Sequence, residues 1–498
     1  MKHEHLIQRT LEVIPALLVW ITFILAIGLS FLRPVWVMYF IIIFDLYWLF
    51  RVLYFIMYLA VAWRRYRRSL RQDWYSDLKA TFPNWRDYYH LVFLPMYREP
   101  YEIVSSTLDA LLGSEYPNDR FIVVLAGEER AHDYFSEIAE RVRTAYGNSF
   151  YRLLVTEHPS DLPDEIPAKG ANINYAGHQV KRLIDDLGID YDKVIVSTFD
   201  IDTIAHQQYF ACLTYAYVSS DKPTRSSYQP VVLYNNTIWQ ASAPMRLAAF
   251  STTFWLMTEL VRPDRLFTFS SHSMSFRALV DVGFWQKDIV SEDSRIFFQG
   301  FFRYNGDYRV TPLYIPVSMD TVAGKTAWDG LKNLYKQQRR WAWGVEHFPY
   351  LVRTMSRNNR ISFRKKLKLL WIQIEGMYTW ATAPIVIFVL GRLPLAVADS
   401  HVQQSVLAQN TPILLEILLN LSMLGILVIG SMSFFLLPPR GAHVSRKRYI
   451  SMFFQWALLP FSLIFFSSLP AIDAQTRLML GKHLGFSVTE KVRGTNRP

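Results

Sequence analysis

A single cysteine, Cys212, stands among 498 residues. That excludes an intramolecular disulfide framework and a cysteine-based zinc site, and it suits a reducing cytoplasm. Charge is scarce too, at 19% of the chain, against 51% hydrophobic and 15% aromatic residues. So apolar a chain is no ordinary soluble enzyme, yet its mean hydropathy is only slightly positive, too low for a pure membrane bundle. Acidic residues are outnumbered 42 to 53, leaving a net charge of +11. The surplus is not gathered on a folded face, as a nucleic-acid partner would need. It clusters beside apolar stretches, at Arg64-Arg65-Tyr66-Arg67-Arg68, Arg364-Lys365-Lys366 and Arg446-Lys447-Arg448. Such clusters mark the cytoplasmic side of spans and contact anionic lipid headgroups, so membrane lipids are the expected partners and nucleic acid is not. There is no internal repeat, no low-complexity tract, and no small-residue cleavage site after Met1-Lys2-His3-Glu4-His5. The first apolar run therefore reads as a retained anchor.

Apolar stretches long enough to cross a bilayer, about 20 residues each, lie at Leu11–Leu32 and Val35–Ala62 and again at Leu369–Leu390, Ile413–Leu437 and Ile450–Leu469. The first pair forms a hairpin (residues 1–71) with both ends cytoplasmic. Residues 72–322 change pattern. Short apolar runs at Leu91–Leu94, Phe121–Leu125, Arg152–Val155 and Val194–Ser197 alternate with helix-like segments at Tyr101–Leu112, Ala131–Tyr146 and Asn172–Leu187. That alternation predicts βαβ units and a parallel sheet, with ligands at the carboxyl ends of its strands. Residues 323–368 are aromatic and basic and predict interfacial helices. C-terminal spans follow over 369–470, then a basic tail over 471–498. Three full spans would put that tail outside. Either one stretch is re-entrant, Ile450–Leu469 with Pro460 and Pro470 being the candidate, or the tail does lie outside; its Lys482, Lys491, Arg493 and Arg497 favour the cytoplasm.

Three short segments carry chemistry. Ser197-Thr198-Phe199-Asp200-Ile201-Asp202 follows a strand, and paired carboxylates there can serve a diphosphate on one side and a hard cation on the other. The plainer reading is a solvated loop. Ser291-Glu292-Asp293 offers a general base, or else the acidic first turn of a helix with Ser291 as its cap. Gln337-Gln338-Arg339-Arg340-Trp341 offers a guanidinium for a diphosphate and an indole for a sugar ring, or simply an amphipathic membrane-surface helix.

Taken in order and set between spans, the three resemble the processive family 2 glycosyltransferases, which include the cellulose, chitin and hyaluronan synthases. The resemblance runs from about Leu91 to Trp343, and more loosely over the flanking spans. It implies an α/β, GT-A-like (Rossmann-type) cytoplasmic domain inserted between N- and C-terminal transmembrane helices. In Pro95-Met96-Tyr97-Arg98-Glu99 the family pattern puts Tyr97 and Glu99 beside the donor's base and ribose, although Arg98 replaces the usual Asn. Leu125-Ala126-Gly127-Glu128-Glu129 supplies Glu128 where the family keeps an acidic pair for uracil. Ala168-Lys169-Gly170-Ala171-Asn172 resembles a donor-contacting stretch with Gly and Ala exchanged, and brings Lys169; by itself it reads as a turn. By the same resemblance Asp200 belongs with the nucleotide, Asp202 with Mg²⁺ or Mn²⁺, and Asp293 is the base with Glu292 beside it. Arg340 would hold diphosphate, Trp341 would stack on the acceptor, and Gln337 would support both. His272, in Phe269–Arg277, lies by the expected acceptor wall, though a lone histidine is more often structural. Phe486-Ser487-Val488-Thr489-Glu490-Lys491 resembles the gating loop of cellulose synthases, with Thr489 and Lys491 facing diphosphate. An exposed basic tail is the plainer reading.

The expected activity is inverting, metal-dependent hexosyl transfer from a nucleotide-diphosphate sugar, a UDP-sugar being favoured, to a growing polysaccharide at the inner face of the cell membrane. It would be processive and coupled to export. The alternatives are transfer of one or a few sugars to a lipid acceptor, a transporter, and a non-catalytic sugar-nucleotide sensor.

Overall fold

The four apolar runs become β1 (Tyr89–Pro95), β2 (Phe121–Glu128), β3 (Arg152–His158) and β4 (Val194–Thr198) of the computed structural model, which describes residues 2–440 and 444–485. They pair in parallel in the order β3-β2-β1-β4. Helices Tyr101–Leu112, His132–Tyr146 and Lys169–Asp186 connect them. Their apolar faces cover both sides of the sheet, which is why β2 and β4 read as unbroken hydrophobic runs.

The sheet is larger and more mixed than the purely parallel one expected. β5 (Ile204–Ala205), β6 (Ser226–Leu233), β7 (His272–Ser275) and β8 (Arg309–Ser318) extend it to eight strands in the order β3-β2-β1-β4-β7-β6-β8-β5. β7 runs antiparallel to β4 and β6. It has no apolar run, yet all of it is buried, because its serines bond within the core. Ser273 meets Ser197 at 2.7 Å and Tyr209 at 2.9 Å, and Ser275 accepts from Tyr217 at 3.1 Å.

An α/β domain thus sits between N- and C-terminal sets of apolar helices, and among the described residues five are long and apolar enough to cross a membrane: His3–Leu32, Pro34–Ser69, Phe363–Val397, Val406–Leu436 and Lys447–Met479. Leu59, Ala62 and Tyr66 at the end of the second join the core of the α/β domain. At the opposite end of the bundle, Met38 packs on Ala398 and Ala408. The expected border at 368/369 falls inside a continuous helix, Phe363–Ile385. The reason is that its basic first turns reach back to the domain: Lys365 donates to the Gly306 carbonyl at 3.0 Å, and Lys368 pairs with Asp264 at 2.8 Å.

Lys447–Met479 is broken into short helical pieces, with Pro460 and Pro470 each opening a new one. Its start lies on the domain, where Arg448 donates to the carbonyls of Trp239 and Ala241. Its end lies beside the start of the first helix, where Arg9 donates to the Met479 carbonyl at 2.8 Å. That first helix in turn meets Arg353 through Gln8 and Arg357 through Glu4, again on the domain side. Both ends of the segment therefore lie at the same end of the bundle. The last described residues emerge there too, with the His483 ring 6.4 Å from that of Trp343.

Candidate active site

The carboxyl ends of β1, β2 and β4 stand side by side, so the β2 and β4 ends are about 10 Å apart. At the β1 and β2 ends, the Glu99 carboxylate accepts from the Tyr97 amide at 2.8 Å, while Glu128 pairs with Arg130. The Arg98 and Arg130 guanidiniums lie 5.1 and 5.0 Å from the Tyr97 ring. The Tyr97 ring thus lies against two guanidiniums, while Glu99 and Glu128 are themselves buried.

The second cluster gathers around Lys169. The helix expected from Asn172 begins three residues earlier, so Lys169 is its first residue and Ala168 its N-cap, where a simple turn was the plainer expectation. The order of glycine and alanine has a steric cause. A Cβ on Gly170 would stand 2.8 Å from the Gln286 carbonyl and 3.1 Å from the Glu292 Cβ, so only glycine lets this helix start close against Glu292. Lys169 Nζ then reaches Asp200 Oδ1 at 2.8 Å, Asp293 Oδ1 at 3.0 Å and Glu292 Oε1 at 3.6 Å. Ser270 donates to the other Asp200 oxygen at 2.7 Å.

One cation thus serves three carboxylates, and their burial sets them apart. Glu292 is sealed, with 4% of its side chain exposed, while Asp293 and Asp200 keep 22% and 29% open. Burial, then the neighbouring Asp293 charge, pushes Glu292 up to about 8, so it holds its proton at neutral pH. Burial alone would lower Lys169; Asp200, Asp293 and Glu292 outweigh it and keep the ammonium well above its ordinary range. Glu292 and Asp293 open the helix Glu292–Arg303, as expected for an acidic first turn. Ser291 takes the cap position but makes no cap bond; its hydroxyl donates to Glu346 instead.

Asp202 lies in the turn after β4, where its Oδ2 accepts from the Asp320 amide at 3.0 Å. Tyr234, just past the end of β6, gathers the remaining groups. Burial, then Asp200, Asp202 and Asp293, push its phenol up, and Arg340 pulls it back, so all four charges act on one hydroxyl. The Trp341 ring lies 5.8 Å from the Tyr234 ring, and Gln337 lines the same depression. The His272 ring is enclosed in β7, fully buried, with no surface left for an acceptor. Its Nδ1 donates to the Phe269 carbonyl at 2.9 Å and stands 4.0 Å from Asp293, and burial lowers its basicity. Thr489 and Lys491 lie outside the described residues.

Several positioning groups had no local signal in the sequence. Glu346 accepts from the Ser291 amide at 3.1 Å and from the Trp343 indole at 2.9 Å, tying the start of the Asp293 helix to the end of the Arg340 helix. Asp473 braces the Arg340 helix from the bundle, accepting from Arg339 at 2.9 Å and from Arg477 of its own helix at 2.6 Å. An acid isolated in the aromatic stretch Trp341–Tyr350 was the one available hint of Glu346. Glu346→Ala is expected to cost roughly 3 kcal/mol, because it strands the Ser291 amide and the indole N–H. Thermal unfolding of purified protein measures this, and an unchanged midpoint would mean the brace bears no load.

Among the described residues no three His, Cys, Asp or Glu side chains stand together as a metal cage. Hard carboxylate oxygens at Asp200 and Asp202 do fit Mg²⁺ or Mn²⁺, which commonly take one or two carboxylates and fill their remaining positions with phosphate oxygens and water.

No family model and no characterised protein matches the chain in sequence. Among solved structures it is similar to the mannosyltransferase PcManGT from Pyrobaculum calidifontis, in complex with GDP-Man and Mn²⁺ (15% identity, 89% of this chain and 100% of that one, TM-score 0.46). It is also similar to S. aureus TarS 1-349 in complex with UDP-GlcNAc (12% identity, 79% and 93%, TM-score 0.36). Likeness at this level carries no argument about activity.

Proposed function

We propose that the chain is a membrane-embedded, inverting glycosyltransferase of the family 2 type, moving a hexose from a nucleotide-diphosphate donor to a growing polysaccharide at the cytoplasmic face. The observation that carries this reading is Lys169 bridging Asp200, just past the end of β4, and Asp293, in the first turn of its helix. A donor diphosphate needs cations at its leaving end and carboxylates for its ribose and metal, and an acceptor needs a base within reach. The nucleoside would lie over Tyr97, Glu99 and Glu128, with the diphosphate running toward Asp200 and Asp202. A divalent cation held at Asp202, when bound, would neutralise charge on the leaving diphosphate.

Of the two adjacent carboxylates, Asp293 is the open one and takes the proton from the acceptor hydroxyl; Glu292, sealed and protonated, does not. The hydroxyl oxygen forms the new bond to the anomeric carbon as the bond to the diphosphate breaks. Arg340 and Lys169 stabilise the charge that leaves. Trp341 and Gln337 hold the acceptor ring. Incubating purified full-length protein with UDP-, GDP- and ADP-sugars and Mg²⁺ or Mn²⁺ tests the reading, with labelled product sized to separate a long polymer from a single glycolipid. Donor preference for UDP with polymer formed is the expected result; binding without turnover would overturn it.

A further inference from the structure

The depression that Trp341, Gln337 and Tyr234 share is shut. Its free volume is about 10 Å³, room for one water and none for a sugar ring. The two side chains proposed to hold the acceptor thus border a space the acceptor cannot enter until another lining group moves. Met245, Ala248, Ala249, Thr321, Val322 and Leu334 also line it. Thr321 is fixed, its amide donating to Thr237 Oγ1 at 3.0 Å and its hydroxyl to the Tyr234 carbonyl at 2.8 Å. Leu334 is branched and 1% exposed, and the alanines have nothing to withdraw. Met245 is the one long, unbranched apolar side chain of the set, and a thioether changes rotamer at little cost.

The fold makes a seat for it. Met245 lies in the first turn of the helix Ala243–Leu260 and packs with Ala241, Val322 and Leu334. Phe466, from the broken bundle segment, leans on the same cluster. Opposite stands Gly330, in the first turn of the helix Ala327–Ala342 that carries Gln337 and Trp341. A Cβ on Gly330 would lie 1.9 Å from Met245 Cε. Glycine weakens a helix, and Gly330 takes no positive φ that would call for one. What the missing side chain provides is room for the thioether.

We propose that Met245 is the stopper of the acceptor site: its thioether fills the place of the acceptor ring and swings out when the acceptor arrives. This rests on the reading of Trp341 and Gln337 as the acceptor's holders. A site that is open part of the time binds its ligand more weakly by the open fraction. For a stopper withdrawn about one-tenth of the time, the acceptor KM stands about tenfold above that of an open site, and a reagent entering the depression is slowed by the same factor.

Two measurements on full-length protein test this. Cys212 is buried and is the only cysteine, so Thr321→Cys puts a single reactive thiol in the lining. Its reaction with methyl methanethiosulfonate is expected to run about tenfold faster when Met245→Ala is added, and no faster with Met245→Leu, which keeps the bulk. Gly330→Ala unseats the thioether and also speeds the reaction, but adds nothing once Met245 is alanine. With labelled donor, and the free disaccharide of the donated sugar as acceptor, Met245→Ala lowers the acceptor KM about tenfold and leaves the donor KM unchanged. A side chain that only packs would alter the unfolding midpoint and neither of these ratios. Equal labelling rates, or faster labelling with an unchanged acceptor KM, overturn the proposal. If the unaltered chain consumes no donor at all, the proposed reaction fails and the stopper's role in it falls too, whatever the labelling shows.

Discussion

Asp293→Asn is expected to lower the turnover of the proposed transfer about 1000-fold while changing donor affinity by less than about threefold. The amide keeps the shape of the side chain and can still accept from Lys169 through its oxygen, so the cluster survives. What is lost is the ability to take a proton from the acceptor hydroxyl. Glu292 cannot substitute, because its side chain is sealed behind Lys169 and burial keeps it protonated to about pH 8. Glu292→Gln should therefore cost far less activity than Asp293→Asn, although the residues are adjacent. Initial rates with saturating donor, and donor affinity by calorimetry, separate the two effects. Equal losses from both substitutions, or full activity in Asp293→Asn, would end the assignment of Asp293 as base.

The part of the fold that could be read in the sequence is the part where burial is apolar. β1 to β4 are runs of Val, Ile, Leu and Phe closed by helices of ordinary spacing, and they fell where the pattern put them. β7 could not be read that way, since His272-Ser273-Met274-Ser275 is buried through hydroxyl pairs across 70 or so residues of sequence. β6 and β8 were hidden by prolines. Pro230 stands at a register shift where β6 meets β8, which is how a proline is accommodated inside a sheet. The site divides the same way. Asp200, Asp202, Glu292 and Asp293 announce themselves as short acidic patterns beside element ends. Tyr234, Glu346 and Asp473 do not, because each acts through a contact made only when distant segments close. The resemblance supplied Lys169, but its role as the shared cation of three carboxylates needed coordinates.

Lys169→Met should be the most damaging single change to the folded state. It removes the one ammonium that meets Asp200, Asp293 and Glu292. Taking one partner out of a mostly buried ion cluster costs roughly 3–5 kcal/mol, and here it also leaves like charges facing each other. The penalty is largest where the carboxylates are ionised, so this variant should be most stable at acid pH. Glu292 gives the same direction in the unaltered chain. Its carboxyl is raised from 4.5 when unfolded to about 8 when folded, so between those values the native state keeps a proton that the unfolded chain has released. Its contribution is fully present below pH 4.5, and it is lost as pH rises through 8, at up to about 1.4 kcal/mol per pH unit. Glu292→Gln is neutral at every pH and should remove that slope. Denaturant unfolding of the unaltered chain, Glu292→Gln and Lys169→Met from pH 5 to pH 9 measures all three together. Parallel curves for the unaltered chain and Glu292→Gln would mean that the sealed carboxyl ionises like an exposed one. The single cation would then be shared by three negative charges, and Asp293 would no longer stand out from its neighbour.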